Sequence, residues 1–396
     1  MAGDSLRDEA RAAFAELLRP RAKGDAVTVL GAGSDDLEPG RTYLAALAEG
    51  GWAVPMWPRE YGGRGATPSE GSVIASELSA FEQPDLYPYL VGLSVVAPTL
   101  LTMATPEQQA RWLPPIRNGD EIWCQLFSEP GAGSDLANVS TRAERDGDTW
   151  WVTGQKVWSS RAHYARWGFL LARSDPGVPK HTGITAFAID MRAPGVEVRP
   201  LRQMNGDAHF SEVFLERAPA LDRDRIAGVG EGWAVARTAL ANERGAVGTV
   251  GTGMGSPAER LLELARGADR VTRDRIMGVH VRSEVARLTA RRARAAAKAG
   301  RTPGPEGSGA KLRGSAIFKA TADAALSVLG AAGVAGEPDA APDDAGEWRT
   351  LFLTAPSISI RGGTDEVQRN IVGERVLGLP PEPRVDVDRP WDEIPH

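Results

Sequence analysis

The feature that most constrains the fold of this chain is a double change of hydrophobic period. Up to about Trp123, and again after Gly232, apolar residues recur at helical spacing, whereas the stretch between breaks into short β-type runs. Those runs are Trp150–Val152, Val157–Trp158, Phe169–Ala172, Ile184–Ile189, Val196–Val198 and Val213–Leu215, separated by Gly, Asp, Pro and Asn. Strands enclosed by helical segments imply segregated modules, because a wound α/β sheet would alternate the two types one by one. The expected class is therefore α+β, with a helical domain at 1–122, a β-barrel or sandwich at 123–222 and a second helical domain at 223–396. A junction between such modules is a natural place for a binding site.

Local punctuation agrees with that division. Thr105-Pro106-Glu107-Gln108 offers an N-cap, a proline at the first helical position and a glutamine that can close a capping box. Ser5 and Asp8 form a similar pattern ahead of Leu6, Ala10, Phe14 and Leu17. Leu90–Met103 is apolar but interrupted by Pro98 and shorter than the roughly 20 residues of a membrane span, so a buried helix is expected there. Toward the C-terminus the main helical candidates are Ala258–Ala265, Arg270–Lys298, Ser308–Leu329 and Asp365–Val376, with Gly300–Gly309 and Gly336–Gly346 as links.

Composition excludes several classes. With 42% hydrophobic and 25% charged residues over 396 positions, the chain has the balance of a packed globular protein. A net charge of −6, with arginines interspersed among acids, gives no basic footprint for nucleic acid. The single cysteine, Cys124, leaves no internal disulfide, and no Cys/His cluster has metal-ligand spacing. The charged N-terminus lacks the apolar core of a secretory signal, and a cytoplasmic location is expected.

Three glycine-bearing patches invite a ligand. In Val27–Asp36, Gly31 and Gly33 follow a strand-like run, but Asp36 stands where a dinucleotide fingerprint needs a third glycine, and its charge would repel a pyrophosphate. A turn between helices is the better reading. In Leu126–Asp135, Pro130, Gly131 and Gly133 allow close backbone approach, and Ser128 and Ser134 supply hydroxyls. Gly154–Ser160 places an indole and hydroxyls at the end of a strand, suiting a flat redox-active ring that needs an apolar face and donors at its edge.

Four stretches in order, Gly51–Gly63, Ser128-Glu-Pro-Gly-Ala-Gly-Ser-Asp135, Gly154-Gln-Lys-Val-Trp158 and Gly363-Thr-Asp-Glu-Val-Gln-Arg-Asn-Ile371, resemble the motifs of the acyl-CoA dehydrogenase family. The resemblance implies a helical domain, a β-domain and a C-terminal four-helix bundle, with FAD between the last two. It implies that Phe127 and Ser128 touch the flavin ring, that Trp158 stacks on it and that Ser160 reaches its N5 edge. Ser134 is expected between flavin and thioester, Arg244 on the substrate, and Thr364 and Glu366 on the FAD. The implied substrate is an acyl-CoA or acyl-carrier-protein thioester, with an electron-transfer flavoprotein as acceptor and a dimeric or tetrameric homo- or hetero-oligomer as the assembly.

The chemistry needs a carboxylate, because the α-proton of a thioester is only weakly acidic and must be taken by a positioned base. At the family position just before the C-terminal Gly-Thr stands Gly362, so that base is missing. Glu243, within Thr238-Ala-Leu-Ala-Asn-Glu-Arg-Gly245, matches the family's second location. It interrupts a helical stripe of Ala236, Ala239, Leu240, Ala246, Val247 and Val250, and burial there would raise its pKa toward a base's working range. The family's Arg-x-x-Phe-Gly stretch is not evident at Arg270–Gly278, and Ser327 replaces its usual glutamine. Pro179–Thr185 and Phe210–Phe214 resemble the branch that includes two-subunit enzymes for steroid-like side-chain thioesters. Alternatives on the same fold are an oxidase, a monooxygenase, a carrier-protein dehydrogenase or a flavin-poor scaffold subunit.

Overall fold

Three amphipathic helices open the chain: α1 (Ala2–Leu17), α2 (Glu38–Ala48) and α3 (Pro68–Leu78). The computed structural model describes residues 2–21, 35–250, 257–301, 304–335, 344–384, 386 and 388–394. Helix α1 already begins at Ala2, so Ser5 lies inside its first turn instead of capping it. Phe14 of α1 packs edge-on against Trp52 at 5.4 Å and Phe81 at 5.9 Å, an arrangement that ring quadrupoles favour. Of the turn expected at Val27–Asp36, only Asp35 and Asp36 fall within the described residues.

The apolar stretch around Pro98 is helical throughout. Helix α4 (Tyr87–Leu90) passes through a π-turn at Val91–Val96 into α5 (Ala97–Met103), with the Ala97 N–H donating to the Gly92 carbonyl. Proline lacks an N–H and its ring would strike the carbonyl four residues back, and the wider turn accommodates both defects. Val96, Ala97, Thr99 and Leu100 of this segment are fully buried. No helix among the described residues is long and apolar enough to cross a membrane.

Helix α6 (Pro106–Asn118) starts with the expected capping box. Thr105 Oγ1 accepts the Gln108 N–H at 3.3 Å and Gln108 Oε1 accepts the Thr105 N–H at 3.1 Å. The amide nitrogen of Gln108 then donates to the carbonyls of Arg223 at 2.9 Å and Arg225 at 2.7 Å, so the cap also anchors the β-region.

The middle of the chain forms one sheet of β1 (Trp123–Leu126), β2 (Arg142–Asp146), β3 (Thr149–Ser160), β4 (Trp167–Arg173), β5 (Ile184–Asp190), β6 (Val196–Leu201), β7 (Phe210–Leu221) and β8 (Arg225–Ile226). The order is β6-β7-β3-β2-β4-β5-β8, and β1 pairs with β4 in parallel. Two of the expected runs, Trp150–Val152 and Val157–Trp158, belong to the single strand β3. Between them Gly154 comes so close to Thr141 that a Cβ would lie 2.7 Å from its Cα, which is why no side chain stands there. Strand β2 escaped the pattern because Ala143 is its only buried residue.

Helix α7 (Gly232–Val250) follows the sheet, then α8 (Pro257–Leu264), α9 (Arg270–Lys298), α10 (Ser308–Leu329), α11 (Ala331–Val334), α12 (Asp344–Ile358) and α13 (Asp365–Arg375). The chain divides into two compact units, one of residues 1–202, 208–246 and 385–396, the other of 203–207 and 247–384. The first unit buries the sheet and the N-terminal helices in two apolar clusters. The second has its own core, in which Leu261, Ile276, Val279, Ala325, Trp348 and Leu351 meet. Of the expected link at Gly336–Gly346, residues 336–343 lie outside the described residues, and α12 begins at Asp344. Helical, sheet and helical segments in succession give the expected α+β class.

Candidate active site

Strand β1 is the spine of the candidate site. It is pinned in parallel to β4, Gln125 opposite Phe169, and runs straight into the Phe127–Asp135 loop. Phe127 is buried, its ring 5.1 Å from that of Phe169, so the loop leaves the sheet from a fixed point.

A buried ion pair then joins this loop to β3. Lys156 is 0% exposed; its Nζ donates to Glu129 Oε1 at 2.7 Å and to the Phe127 carbonyl at 3.1 Å. Glu129 also accepts the backbone N–H groups of Ser140 at 2.7 Å and Thr141 at 2.9 Å. Burial by itself would raise the Glu129 carboxyl, but the charge of Lys156 and these donors outweigh it and hold the group at about 2. Burial in turn draws Lys156 below the ordinary lysine range. A backbone bond from Val157 N–H to the Ser128 carbonyl, 2.9 Å, completes the link. The two motifs at 126–135 and 154–160 are thus one construction.

Trp158 is displayed by a defect in the strand. The β3–β7 register shifts between Lys156 and Ser159, and Trp158 takes φ 60°, a left-handed conformation that is strained for a bulky side chain. The indole, 59% exposed, meets Phe210 edge-on at 5.9 Å. Its neighbour Ser159 is fully buried, with an Oγ that has no hydrogen-bond partner among the described residues, and Ser160 is half-buried. Ser134 is exposed, and a Cβ placed on Gly131 or Gly133 would meet nothing within 4 Å. An exposed indole face on a strained bulge, tied to the open glycine loop by the Val157–Ser128 backbone bond, fits a planar ring.

Glu243 approaches the same spine from helix α7. The start of α7 is clamped to β5: Gly230 N–H donates to Thr185 Oγ1 at 3.0 Å, and a Cβ on Gly232 would lie 2.7 Å from the Ile184 carbonyl oxygen. Ala236 and Ala239 are fully buried, and the amide of Asn242 donates to the buried Thr99 Oγ1 at 3.2 Å. Glu243, half-buried, accepts from Gln125 Nε2 at 3.4 Å, a long hydrogen bond that joins it to the strand leading into the Phe127–Asp135 loop. The side chains of Arg244, Ala246, Val247 and Val250 lie outside the described residues.

Thr364 and Glu366 belong to the second unit. Thr364 caps α13, its Oγ1 accepting the Val367 N–H at 3.1 Å, while Glu366 is exposed and paired with Arg369 at 3.0 Å. Gly362, where the family's other base position falls, has φ 64° and open surroundings. Ser327 accepts from Arg275 at 2.6 Å, so two places that depart from the family pattern touch each other.

Sequence reading missed Glu129, Lys156, Gln125 and Arg173 as working residues. The available signal was a charged side chain within a β-type segment, Lys156 in β3 and Arg173 at the end of the apolar β4, which burial permits only when the charge is paired or fully hydrogen-bonded.

Comparison with known proteins agrees with this architecture. Family profiles described as acyl-CoA dehydrogenase N-terminal, middle and C-terminal domains match residues 3–120, 124–218 and 230–377. Acyl-CoA dehydrogenase FadE34 of Mycobacterium tuberculosis is 44% identical over 346 residues, 86% of this chain but 47% of FadE34, so the chain spans about half the length of that relative. Acyl-CoA dehydrogenase IpdE1 of Mycolicibacterium smegmatis is 36% identical over 398 residues, covering 94% of this chain and 98% of IpdE1. The solved structure of the Tcur3481-Tcur3483 steroid ACAD superposes with a TM-score of 0.78 at 29% identity, over 96% of this chain and 98% of that one. The chain belongs to the acyl-CoA dehydrogenase family of FAD-dependent oxidoreductases.

Proposed function

We propose that this protein catalyses α,β-dehydrogenation of an acyl thioester, with Glu243 as the base that takes the α-proton. The observation that carries the reading is the half-buried Glu243 carboxylate, joined through Gln125 to the strand that feeds the Phe127–Asp135 loop. Gln125 holds one carboxylate oxygen and so orients the base, and the clamp of α7 on β5 keeps it at a set distance from the loop. Phe127, Ser128, Ser134, Trp158 and Ser160 would hold the FAD, Thr364 and Glu366 are assigned as further FAD contacts, and Ser134 and Arg244 would bind the thioester. FAD, when bound, supplies the hydride acceptor. Trp158 offers an apolar face against which the ring can be kept from water, which suits its exposure on a strained bulge.

In this reading the chain is built as domains 1–122, 123–222 and 223–396, and its electrons pass to an electron-transfer flavoprotein. The acyl group is bulky and steroid-like, which the 29% identity to a structure described as a steroid ACAD supports. An oligomer is supported by α9, where Met277, Val281, Val285 and Leu288 form an exposed apolar face at helical spacing. A related structure described as the ChsE4-ChsE5 complex, at 26% identity, favours a hetero-oligomer. A cytoplasmic location suits the single, buried, unpaired Cys124.

Glu243→Gln tests the assignment. The amide is nearly isosteric but cannot take the proton, so FAD should be retained while thioester-dependent bleaching of the flavin slows by about 10²–10⁴-fold. Bleaching at the wild-type rate would refute Glu243 as the base.

A further inference from the structure

The Ser134 loop is held at its start, where Glu129 and Ala132 exchange backbone hydrogen bonds of 3.0 and 3.1 Å and Ala132 is buried, but its glycines and Ser134 have few holds of their own. Gly131 and Gly133 stand in open space, Ser134 is exposed, and two nearby glycines leave the backbone with much conformational freedom. The residues that follow are nevertheless tied down, and several of the ties lead to the far end of the chain.

Two buried cations do the tying. Arg173 donates to the carbonyls of Ala137 at 2.7 Å, Val139 at 3.1 Å and Lys180 at 2.7 Å. Lys180 places its ammonium 2.8 Å from Asp135, the residue after Ser134. Both cations are then capped by the C-terminal tail. Asp386 reaches Lys180 at 2.5 Å, and the guanidinium of Arg173 lies over the Trp391 ring, 4.7 Å from its centroid. The Trp391 indole N–H donates to Asn138 Oδ1 at 2.8 Å. The tail is itself seated by backbone bonds, Trp391 N–H to the Val178 carbonyl at 2.9 Å and Asp392 N–H to the Pro176 carbonyl at 3.1 Å.

We propose that the C-terminal tail is a brace for the Ser134 loop, with Trp391 and Asp386 as positioning residues that act through Asn138, Arg173 and Lys180. The proposal rests on the reading of that loop as the flavin and thioester contact. The brace converts a glycine-rich loop, which alone would sample many conformations, into one pre-set for its ligand. They reach the loop through Asn138, Arg173 and Lys180, so their effect is on where Ser134 sits and not on the chemistry itself.

Hydrogen exchange of the full-length protein separates the brace from the function. Trp391→Ala and Asp386→Asn should each speed amide exchange in peptides covering 131–139 by about tenfold, while peptides from β5 stay unchanged. In the FAD-loaded enzyme the same variants should lower kcat/KM for thioester-dependent bleaching by a similar factor, largely through KM. Trp391→Phe keeps the ring over Arg173 and loses only the N–H, and should fall between Trp391→Ala and wild type. Unchanged exchange at 131–139 in both variants would overturn the brace. Faster exchange with unaltered bleaching would overturn its positioning role. A wild-type protein without thioester-dependent bleaching would count against the proposed function, and the exchange comparison would still decide whether the tail holds the loop.

Discussion

At the scale of single residues, the proposed site separates side chains that hold the fold from side chains exposed to solvent. Lys156 and Glu129 are of the first kind. Lys156→Met would leave Glu129 buried without its cation and should lower stability by about 3–5 kcal/mol, read from urea unfolding, whereas adding Glu129→Gln should recover much of the loss. Because the Glu129 carboxyl is held at about 2, below its ordinary 4.5, its contribution is complete above pH 4.5 and drains away as pH falls toward 2. Unfolding midpoints measured at pH 5 and pH 3 should therefore differ less in the Glu129→Gln/Lys156→Met protein than in wild type. Trp158 is of the second kind: Trp158→Ala removes a side chain 59% exposed and held at φ 60°, so unfolding should shift by less than about 1 kcal/mol. FAD retention in that variant, followed by absorbance after gel filtration, should nevertheless fall by roughly tenfold through lost ring contact.

At the scale of elements, the placement of Glu243, the proposed base, depends on how α7 is started. Gly232 sits where a Cβ would lie 2.7 Å from the Ile184 carbonyl oxygen, so Gly232→Val must push the helix away from β5. The expected cost is about 1–3 kcal/mol of overpacking, with a fall in bleaching rate as the Glu243–Gln125 contact opens. Normal kinetics in a destabilised Gly232→Val protein would mean that the clamp does not position the base. Helix α6 shows a different division of labour. Its capping box was legible from Thr105 and Gln108, but the bonds from Gln108 to the carbonyls of Arg223 and Arg225 were not, since they join residues more than a hundred positions apart.

At the scale of the whole molecule, the apolar face of α9 bears on assembly. Val285→Arg should shift the sedimenting species toward a single chain, and an unchanged distribution would place the subunit contact elsewhere. The α–β–α succession was readable from period alone, because helices and strands bury opposite residue spacings. The family was likewise legible from local motifs, and the same motifs supplied the glycine loop, Trp158 and Glu243 as the proposed site. What stayed hidden was the bulge that turns Trp158 outward, the polar strand β2, the π-turn ahead of Pro98, the Lys156–Glu129 pair and the tail docked on the loop. Each of these depends on a partner distant in sequence or on a backbone departure that composition does not encode. The sequence by itself determined the α–β–α succession, most of its helices and strands and the motifs that identify the family, since these rest on short-range spacing. Only the tertiary structure decided which of those residues are brought together, because burial and pairing of charge are properties of contacts and not of order along the chain.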